Sequence, residues 1–179
     1  MNTRAERIEA ARLAQLRAFV PGLFAAGTLL YIGASIRRAQ CLVDLVAAGR
    51  RVTILEAWPA NAEHYRGRPG LEVVRGDVRA LASLSLPAEI YDAAFWWHGP
   101  EHVARAELAT VLAGIERRAR LVVLGCPWGV YPQSAIEGNR YEQHVAVLGP
   151  QDFGALGYRV ATLGRAGDRA DSNVLAVKP

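Results

Sequence analysis

The sequence predicts an α/β fold in which helices cover both faces of a mostly parallel β-sheet. Short apolar segments of strand length alternate with longer segments of helical periodicity along the chain. Several of the short segments are apolar almost throughout, as strands buried on both faces are. The last two strands are joined by a polar turn over 164–172, which indicates one antiparallel strand at or near an edge of the sheet.

The first predicted element is a helix over 4–20, whose apolar stripe ends at Pro21. Helices are also predicted over 36–48, which Gly49 ends, and over 101–118. Seven short apolar runs are the predicted strands: 28–33, 51–56, 71–74, 91–97, 121–124, 158–163 and 173–177. Right-handed crossovers would place the intervening helices against the sheet.

Composition excludes several classes of protein. The chain has 179 residues, 51% hydrophobic and 21% charged, so we expect one α/β domain over 27–179 preceded by a helical extension over 1–26, and not a disordered or fibrous chain. We find no membrane helix and no apolar region of a signal peptide. Two cysteines, Cys41 and Cys126, are too few for a disulfide framework, so we expect a cytoplasmic protein with free thiols. The net charge of +4 does not require a nucleic-acid partner, and homo-oligomerisation is left open.

In such a sheet, ligands bind beyond the carboxyl ends of the strands. Gly33, after the first strand, lets the backbone turn tightly, and Ser35 is placed to cap the next helix. Glu56 ends the second strand about twenty residues later, where a carboxylate can accept hydrogen bonds from both hydroxyls of a ribose. The alternative is that Glu56 is only a solvated strand end. The full glycine pattern of dinucleotide-binding proteins is absent, which disfavours NAD.

Asp77 follows the third strand and has two interpretations of equal weight. Its carboxylate either reads the amino edge of a base or caps the short helix that follows. After the fifth strand, Cys126 is expected to be a buried and unreactive thiol. The polar segment 139–144, together with Trp128 and Tyr131, either walls a substrate pocket or forms a loop with its own hydrogen bonds.

The densest polar cluster, 97–102, follows the fourth strand. His98, Glu101 and His102 are candidates for a general base and for groups that orient a substrate. The alternative is that a helix begins at Pro100, with Glu101 at its positive end and His102 packed. The same residues match a His-x-x-Glu-His zinc-protease pattern, which requires one continuous helix. Because Gly99-Pro100 interrupts such a helix, we expect no metal, even with His144 as a third ligand.

The order of these segments resembles the class I S-adenosylmethionine (SAM)-dependent methyltransferases of the small-molecule type over about 28–179. The motifs that carry the resemblance are Leu29-Leu-Tyr-Ile-Gly-Ala-Ser35, Val52-Thr-Ile-Leu-Glu56, Arg75-Gly-Asp77, Tyr91-Asp92 through Glu101-His102, and Cys126-Pro-Trp128. The resemblance implies a Rossmann-like three-layer sandwich with a seven-stranded, mostly parallel sheet and an antiparallel last strand.

The resemblance also implies a cofactor and a site. SAM would be held by residues at the strand ends: Gly33, Ala34, Ser35, Glu56, Ala57, Asp77, Val78 and Trp97. Of these, Gly33 would approach the methionine portion, Glu56 the ribose and Asp77 the adenine. Catalysis would involve His98, Glu101 and His102, with His98 as base or substrate anchor.

The first motif departs from the family pattern. Tyr31 stands where the family usually has an acid, and Ser35 and Arg37 stand where later glycines usually are. We expect methyl transfer to an oxygen or nitrogen of a small molecule by direct displacement, with the helix over 4–20 as a lid or partner surface. The alternatives are a non-catalytic binding or partner protein of this fold, which the altered motif favours, and then a nucleic-acid methyltransferase or a metal hydrolase.

Overall fold

A computed structural model describes residues 13–36, 48–163 and 172–179. Within these residues the sheet has seven strands in the order β3-β2-β1-β4-β5-β7-β6. The strands are β1 (Thr28–Ile32), β2 (Arg51–Glu56), β3 (Leu71–Arg75), β4 (Ala93–Trp97), β5 (Val122–Pro127), β6 (Arg159–Leu163) and β7 (Asn173–Lys178). β7 is antiparallel to β5 and β6, and the other pairs are parallel. The predicted mostly parallel sheet with an antiparallel last strand is confirmed.

The described helices are α1 (13–19), α2 (Pro21–Ala25), α3 (Pro59–Tyr65), α4 (Arg105–Glu116) and α5 (Pro150–Gly154). The predicted end of the first helix at Pro21 is confirmed, since α1 ends at residue 19 and Val20 has a non-helical backbone. Pro21 then begins the separate helix α2, because a proline in the first turn of a helix sacrifices no hydrogen bond. The predicted helix over 36–48 lies almost wholly outside the described residues, as do residues 4–12 of the first helix and most of the turn over 164–172.

The predicted helix over 101–118 is wrong at its start. Pro100–His102 form a short 3₁₀ turn, Val103 and Ala104 are extended, and α4 begins only at Arg105. The carbonyl of Glu101 accepts hydrogen bonds from the N–H groups of Val145 and Ala146, at 2.9 and 3.1 Å. In a continuous helix that carbonyl would accept from residue 105, so the contact with the 140s loop replaces the first helical turn.

β5 is longer than predicted. The sequence predicts that this strand ends at Leu124, before Gly125-Cys-Pro127, but in the structure the strand continues to Pro127. The reason is that β7 lies alongside it, with Leu175 opposite Gly125 and Asn173 opposite Pro127. This pairing between distant parts of the chain overrides the local preference of glycine and proline for turns.

Two apolar clusters lie on opposite faces of the sheet, which makes the fold the expected three-layer sandwich. Alternate residues of β1 contribute to different clusters: Leu30 and Ile32 to one, Leu29 and Tyr31 to the other. The first cluster includes α4 and α5, and the second includes the N-terminal helical residues, with Leu23 fully buried. Among the described helices, none is long and apolar enough to span a bilayer.

Two glycines make room for the tryptophans at the end of β4. A Cβ on Gly125 would overlap the ring of Trp97, and a Cβ on Gly99 would overlap the ring of Trp96. Trp97 in turn stacks on Phe95, with ring planes 3° apart and centroids 6.0 Å apart. The position of the Trp97 ring therefore depends on the absence of a side chain on the neighbouring strand.

Gly125→Ala is expected to lower the free energy of unfolding by about 1–3 kcal/mol, because the added methyl group overpacks the Trp97 site. The matched control is Gly114→Ala in α4, where a Cβ meets nothing within 4 Å. That change is expected to raise stability by about 0.5–1 kcal/mol, as alanine does in a helix interior. Urea unfolding followed by tryptophan fluorescence measures both, and equal effects of the two variants would contradict this account of Gly125.

Candidate active site

A cavity of about 920 Å³ lies at the carboxyl ends of the central parallel strands. Its volume is within the range of small-molecule and cofactor sites. Ten of the eleven predicted site residues line it: Gly33, Ser35, Glu56, Ala57, Asp77, Val78, Trp97, His98, Glu101 and His102. Ala34 is not among the lining residues and is buried, with 1% of its surface exposed. The structure thus brings the strand-end residues together, while their individual roles stay predictions.

The turn after β1 presents backbone atoms to the cavity, because Gly33 has no side chain. Gly33 has a φ of +72°, a left-handed conformation that favours glycine, and its N–H donates to the carbonyl of Leu55 at 2.9 Å. A Cβ at Gly33 would meet nothing within 4 Å, so the space above it is open. The hydroxyl of Tyr65 donates to the carbonyl of Ser35 at 3.0 Å and anchors the far side of the turn.

Glu56 faces this turn from the end of β2 and is 5% exposed. One of its carboxyl oxygens accepts a hydrogen bond from the N–H of Trp58 at 2.7 Å. Burial raises the pKa of Glu56 to about 7, against the lowering effect of the Trp58 N–H and, less strongly, of the Ala34 backbone. The charge of Glu142 raises this pKa further. Glu56 is therefore a buried acid that changes its charge near neutral pH, and not a solvated strand end.

Asp77 caps the short helix that follows it. Its carboxylate accepts hydrogen bonds from the N–H of Arg79 at 2.9 Å and from the guanidinium of the same residue at 2.6–3.1 Å. Burial raises the pKa of Asp77, but Arg79 outweighs this effect and the net pKa is lowered. The capping interpretation of Asp77 is confirmed, and its proposed contact with a base stays a prediction.

His98 occupies a conformation that residues with a side chain rarely adopt, with a φ of +51°. Its N–H donates to the carbonyl of Gly125 at 2.7 Å, which holds the residue at the end of β4. The ring Nδ1 lies 3.4 Å from Oε1 of Glu101, and Nε2 is buried with no hydrogen-bond partner among the described residues. Backbone strain of this kind is concentrated at functional sites.

Glu101 is the most deeply buried acid of the site, with 2% of its surface exposed. Neither carboxylate oxygen has a hydrogen-bond partner in the part of the chain that the structure describes. Burial raises the pKa of this carboxyl, but the imidazoles of His98 and His102 outweigh that effect and the net pKa lies below its ordinary value. The carboxylate is therefore charged at neutral pH and is compensated by surrounding histidines.

His144 joins this cluster from the loop after β5. Its Nε2 lies 3.8 Å from Oε1 of Glu101, and its ring centroid lies 5.0 Å from that of His102. Burial lowers the pKa of His144, against the opposing charge of Glu101, so the ring is neutral at pH 7. Glu101, His102 and His144 form a group that could hold a metal ion.

The loop over 139–144, which carries His144, has features of both interpretations, and its contact with a substrate stays a prediction. It lines the cavity, and it also has its own hydrogen bonds: Asn139 accepts from the N–H of Tyr141, and the Gln133 amide donates to the carbonyl of Glu142 at 2.6 Å. Tyr131 lines the cavity as well, whereas Trp128 packs against the core. Sequence reasoning missed Gln133 and Asn61, which also line it. Asn61 lies on α3, a helix whose only local signal is a proline at its start.

Two further predictions concern residues around the site. Cys126 is fully buried, as expected, and burial raises the pKa of its thiol well above the ordinary value, while its lack of reactivity stays a prediction. Tyr31 stands in the place of the usual acid, and its ring packs against that of Phe95 with the ring centroids 5.2 Å apart. Arg37 and Cys41 lie outside the described residues.

The strand order and the position of β7 define the fold of the class I SAM-dependent methyltransferases, and solved structures of such enzymes match this chain. A SAM-dependent methyltransferase from Archaeoglobus fulgidus matches with a TM-score of 0.64 and 17% identity over 95% of this chain and 94% of that chain. The N-methyltransferase NodS from Bradyrhizobium japonicum matches with a TM-score of 0.66 and 15% identity over 98% of this chain and 97% of that chain.

A third similar structure is the 1,6-didemethyltoxoflavin-N1-methyltransferase from Burkholderia thailandensis, with 1,6-didemethyltoxoflavin and S-adenosylhomocysteine (SAH) bound. It matches with a TM-score of 0.64 and 17% identity over 95% of this chain and 76% of that chain. At these identities the likeness establishes the fold. No protein-family model matches the chain, and no curated protein matches it.

The raised pKa of Glu56 predicts a specific pH dependence of stability. Because the folded chain holds this proton up to about pH 7 and the unfolded chain only to its ordinary pKa of 4.5, the stabilisation is complete below pH 4.5 and is lost as the pH rises through 7. Relative to Glu56→Gln, the protein should lose about 2 kcal/mol of unfolding free energy between pH 5 and pH 8. Urea titrations at several pH values measure this difference.

The matched control is Glu72→Gln on β3, an exposed carboxylate. It is expected to leave the pH profile of the unmodified protein unchanged. If Glu56→Gln shows the same profile as that control, the buried acid described above is not the titrating group.

Proposed function

We propose that this protein is a SAM-dependent methyltransferase that acts on a small molecule, with an oxygen or nitrogen atom as methyl acceptor. The observation that carries the proposal is the convergence of Gly33, Glu56 and Trp97 with His98 and Glu101 on one cavity of about 920 Å³. Similar structures crystallised with SAH bound support the choice of cofactor. The small-molecule substrate of the toxoflavin enzyme supports the choice of substrate class.

The residues present fit an adenosyl cofactor. The open space above Gly33 admits a ligand against the backbone, and the buried carboxyl of Glu56 can accept hydrogen bonds from ribose hydroxyls. Val78 and the Asp77–Arg79 pair lie beyond β3, where the adenine would be placed. When bound, SAM supplies an electrophilic methyl group on a sulfonium.

His98 is proposed as the general base. Its imidazole would take the proton of the acceptor's O–H or N–H group, and the charged Glu101, 3.4 Å from Nδ1, would stabilise the resulting imidazolium. The hydrogen bond from the N–H of His98 to the carbonyl of Gly125 holds the backbone of this residue beside the cavity. Glu101 and His102 orient this base from the turn that follows.

The N-terminal helix α1 is proposed to exclude water from the cavity. Leu13 and Leu16 of α1 line the cavity, and Leu16 is also part of the core cluster on that face of the sheet. An apolar cover over the reacting groups strengthens their electrostatic interactions. This arrangement supports the interpretation of the helix over 4–20 as a lid.

Binding of SAH is the first test. Isothermal titration is expected to show one site whose affinity rises about tenfold between pH 6 and pH 8, because Glu56 must lose its proton to accept the ribose hydroxyls. Glu56→Gln should weaken binding and remove this pH dependence. Glu72→Gln should do neither. No binding of SAM or SAH at any pH would overturn the proposal.

His98→Ala is expected to lower turnover by about 10²–10⁴-fold while the affinity for SAH changes little, since a general base acts on the acceptor. The matched control is His64→Ala, an exposed histidine on α3 away from the cavity lining. A screen of small-molecule acceptors with labelled SAM supplies the assay. Equal losses of turnover and SAH affinity in His98→Ala would show that this residue is not the base.

The second candidate function is binding of a nucleoside-containing ligand or a protein without catalysis. The observation that favours it is Tyr31, which fills the place of the usual acid with an aromatic ring packed on Phe95. In that case SAH binding would persist in His98→Ala, and no acceptor would be methylated by the unmodified protein.

A further inference from the structure

We infer that Glu101, His102 and His144 form a binding site for a divalent transition-metal ion of the zinc type in the wall of the cavity. One ligand atom from each side chain lies within 4.8 Å of the other two. All three residues line the cavity. The inference does not depend on the proposed function, because none of its supporting contacts involves the cofactor residues.

The first support is the state of Glu101. Its side chain is buried, yet both carboxylate oxygens have no hydrogen-bond partner among the described residues. Buried charges in proteins are paired, hydrogen-bonded or bound to a metal, because an unsatisfied buried charge is strongly destabilising. The two ring nitrogens beside the carboxylate, Nδ1 of His98 at 3.4 Å and Nε2 of His144 at 3.8 Å, both face Oε1, so neither satisfies Oε2.

The second support is the orientation of the two histidine rings. Nδ1 of His102 lies 3.0 Å from the carbonyl oxygen of Gln143, and Nδ1 of His144 contacts the carbonyl oxygen of Tyr131. A carbonyl can only accept, so Nδ1 carries a hydrogen in both rings, and in the neutral form of each ring Nε2 keeps its lone pair. This is the arrangement found behind metal-binding histidines, where a backbone carbonyl fixes the ring and raises the basicity of the other nitrogen.

The donor set selects the kind of ion. Two imidazole nitrogens and one carboxylate oxygen suit Zn²⁺ and Co²⁺, whereas Mg²⁺ and Ca²⁺ prefer oxygen ligands. Ligand atoms around a tetrahedral zinc ion are about 3.4 Å apart, so the 3.8 Å between Oε1 of Glu101 and Nε2 of His144 needs a small closure, and the separations of up to 4.8 Å within the group need a larger one. Three protein ligands leave a coordination position for water or for a ligand group in the cavity.

The site differs from the zinc-protease arrangement that the sequence analysis rejected. His98 is not among its ligands, and no continuous helix is needed. The third ligand comes instead from the loop after β5, which the hydrogen bonds from Val145 and Ala146 hold against the carbonyl of Glu101. The expectation of no metal was based on local helix geometry. Helix geometry does not predict this contact between distant segments.

Titration of chelator-treated, tag-free protein with ZnCl₂ and CoCl₂ tests the inference. One equivalent of Zn²⁺ should bind, Co²⁺ should give visible d–d absorption, and excess Mg²⁺ should not compete. His102→Ala and His144→Ala should each weaken zinc binding at least about tenfold, since loss even of a group behind a ligand costs about 10–100-fold. His144→Gln, which keeps the volume of the side chain, should weaken it similarly while the melting temperature of the metal-free protein stays near that of the unmodified chain.

The matched control is His64→Ala, which removes a histidine outside the cluster and should leave zinc affinity unchanged. The inference is overturned by an absence of saturable Zn²⁺ and Co²⁺ binding, or by equal effects of His64→Ala and His144→Ala. A separate SAH titration of the metal-free protein distinguishes the two proposals. SAH binding without zinc binding removes only the metal site, and zinc binding without SAH binding removes only the proposed cofactor.

Discussion

A buried carboxylate, that of Glu101, is the constraint around which the candidate site is organised. Removing a charge from water is costly unless neighbouring groups compensate it, and here the imidazoles of His98 and His102 lower the pKa of the carboxyl. The backbone of the same residue accepts two hydrogen bonds from the 140s loop. Side chain and backbone of one residue thus hold together the end of β4, the turn after it and the loop after β5.

The packing at the end of β4 places this residue. Trp96 and Trp97 point to opposite faces of the sheet, and each lies against a glycine that has no side chain to displace it. His98 then follows in a left-handed conformation, held by the carbonyl of Gly125. The turn at Pro100–His102 returns the chain toward the cavity instead of continuing into a helix. Core packing and site geometry are therefore consequences of the same few residues.

Much of the candidate site could be predicted because parallel strands end at the same edge of a sheet. Gly33, Glu56 and Asp77 were found from their places after apolar runs, and the structure collects them around one cavity. The protonation and the hydrogen bonds of these side chains could not be predicted in this way. The neutral-range pKa of Glu56 arises from burial and from Glu142, which is distant in sequence. The capping of the next helix by Asp77 was one of two alternatives that spacing left undecided.

The sequence by itself predicts the seven strands, their mostly parallel arrangement and the edge at which ligands bind. Local periodicity and strand-end glycines carry this information, because these features follow from short-range backbone preferences and from burial on two faces. Tertiary contacts decided the rest. Pairing with β7 extends β5 as far as a proline. Hydrogen bonds from the 140s loop to the carbonyl of Glu101 replace the first turn of a predicted helix, and the same loop places His144 beside the Glu101 side chain. Each of these outcomes depends on hydrogen bonds between segments far apart in the chain, for which a single sequence carries no local signal.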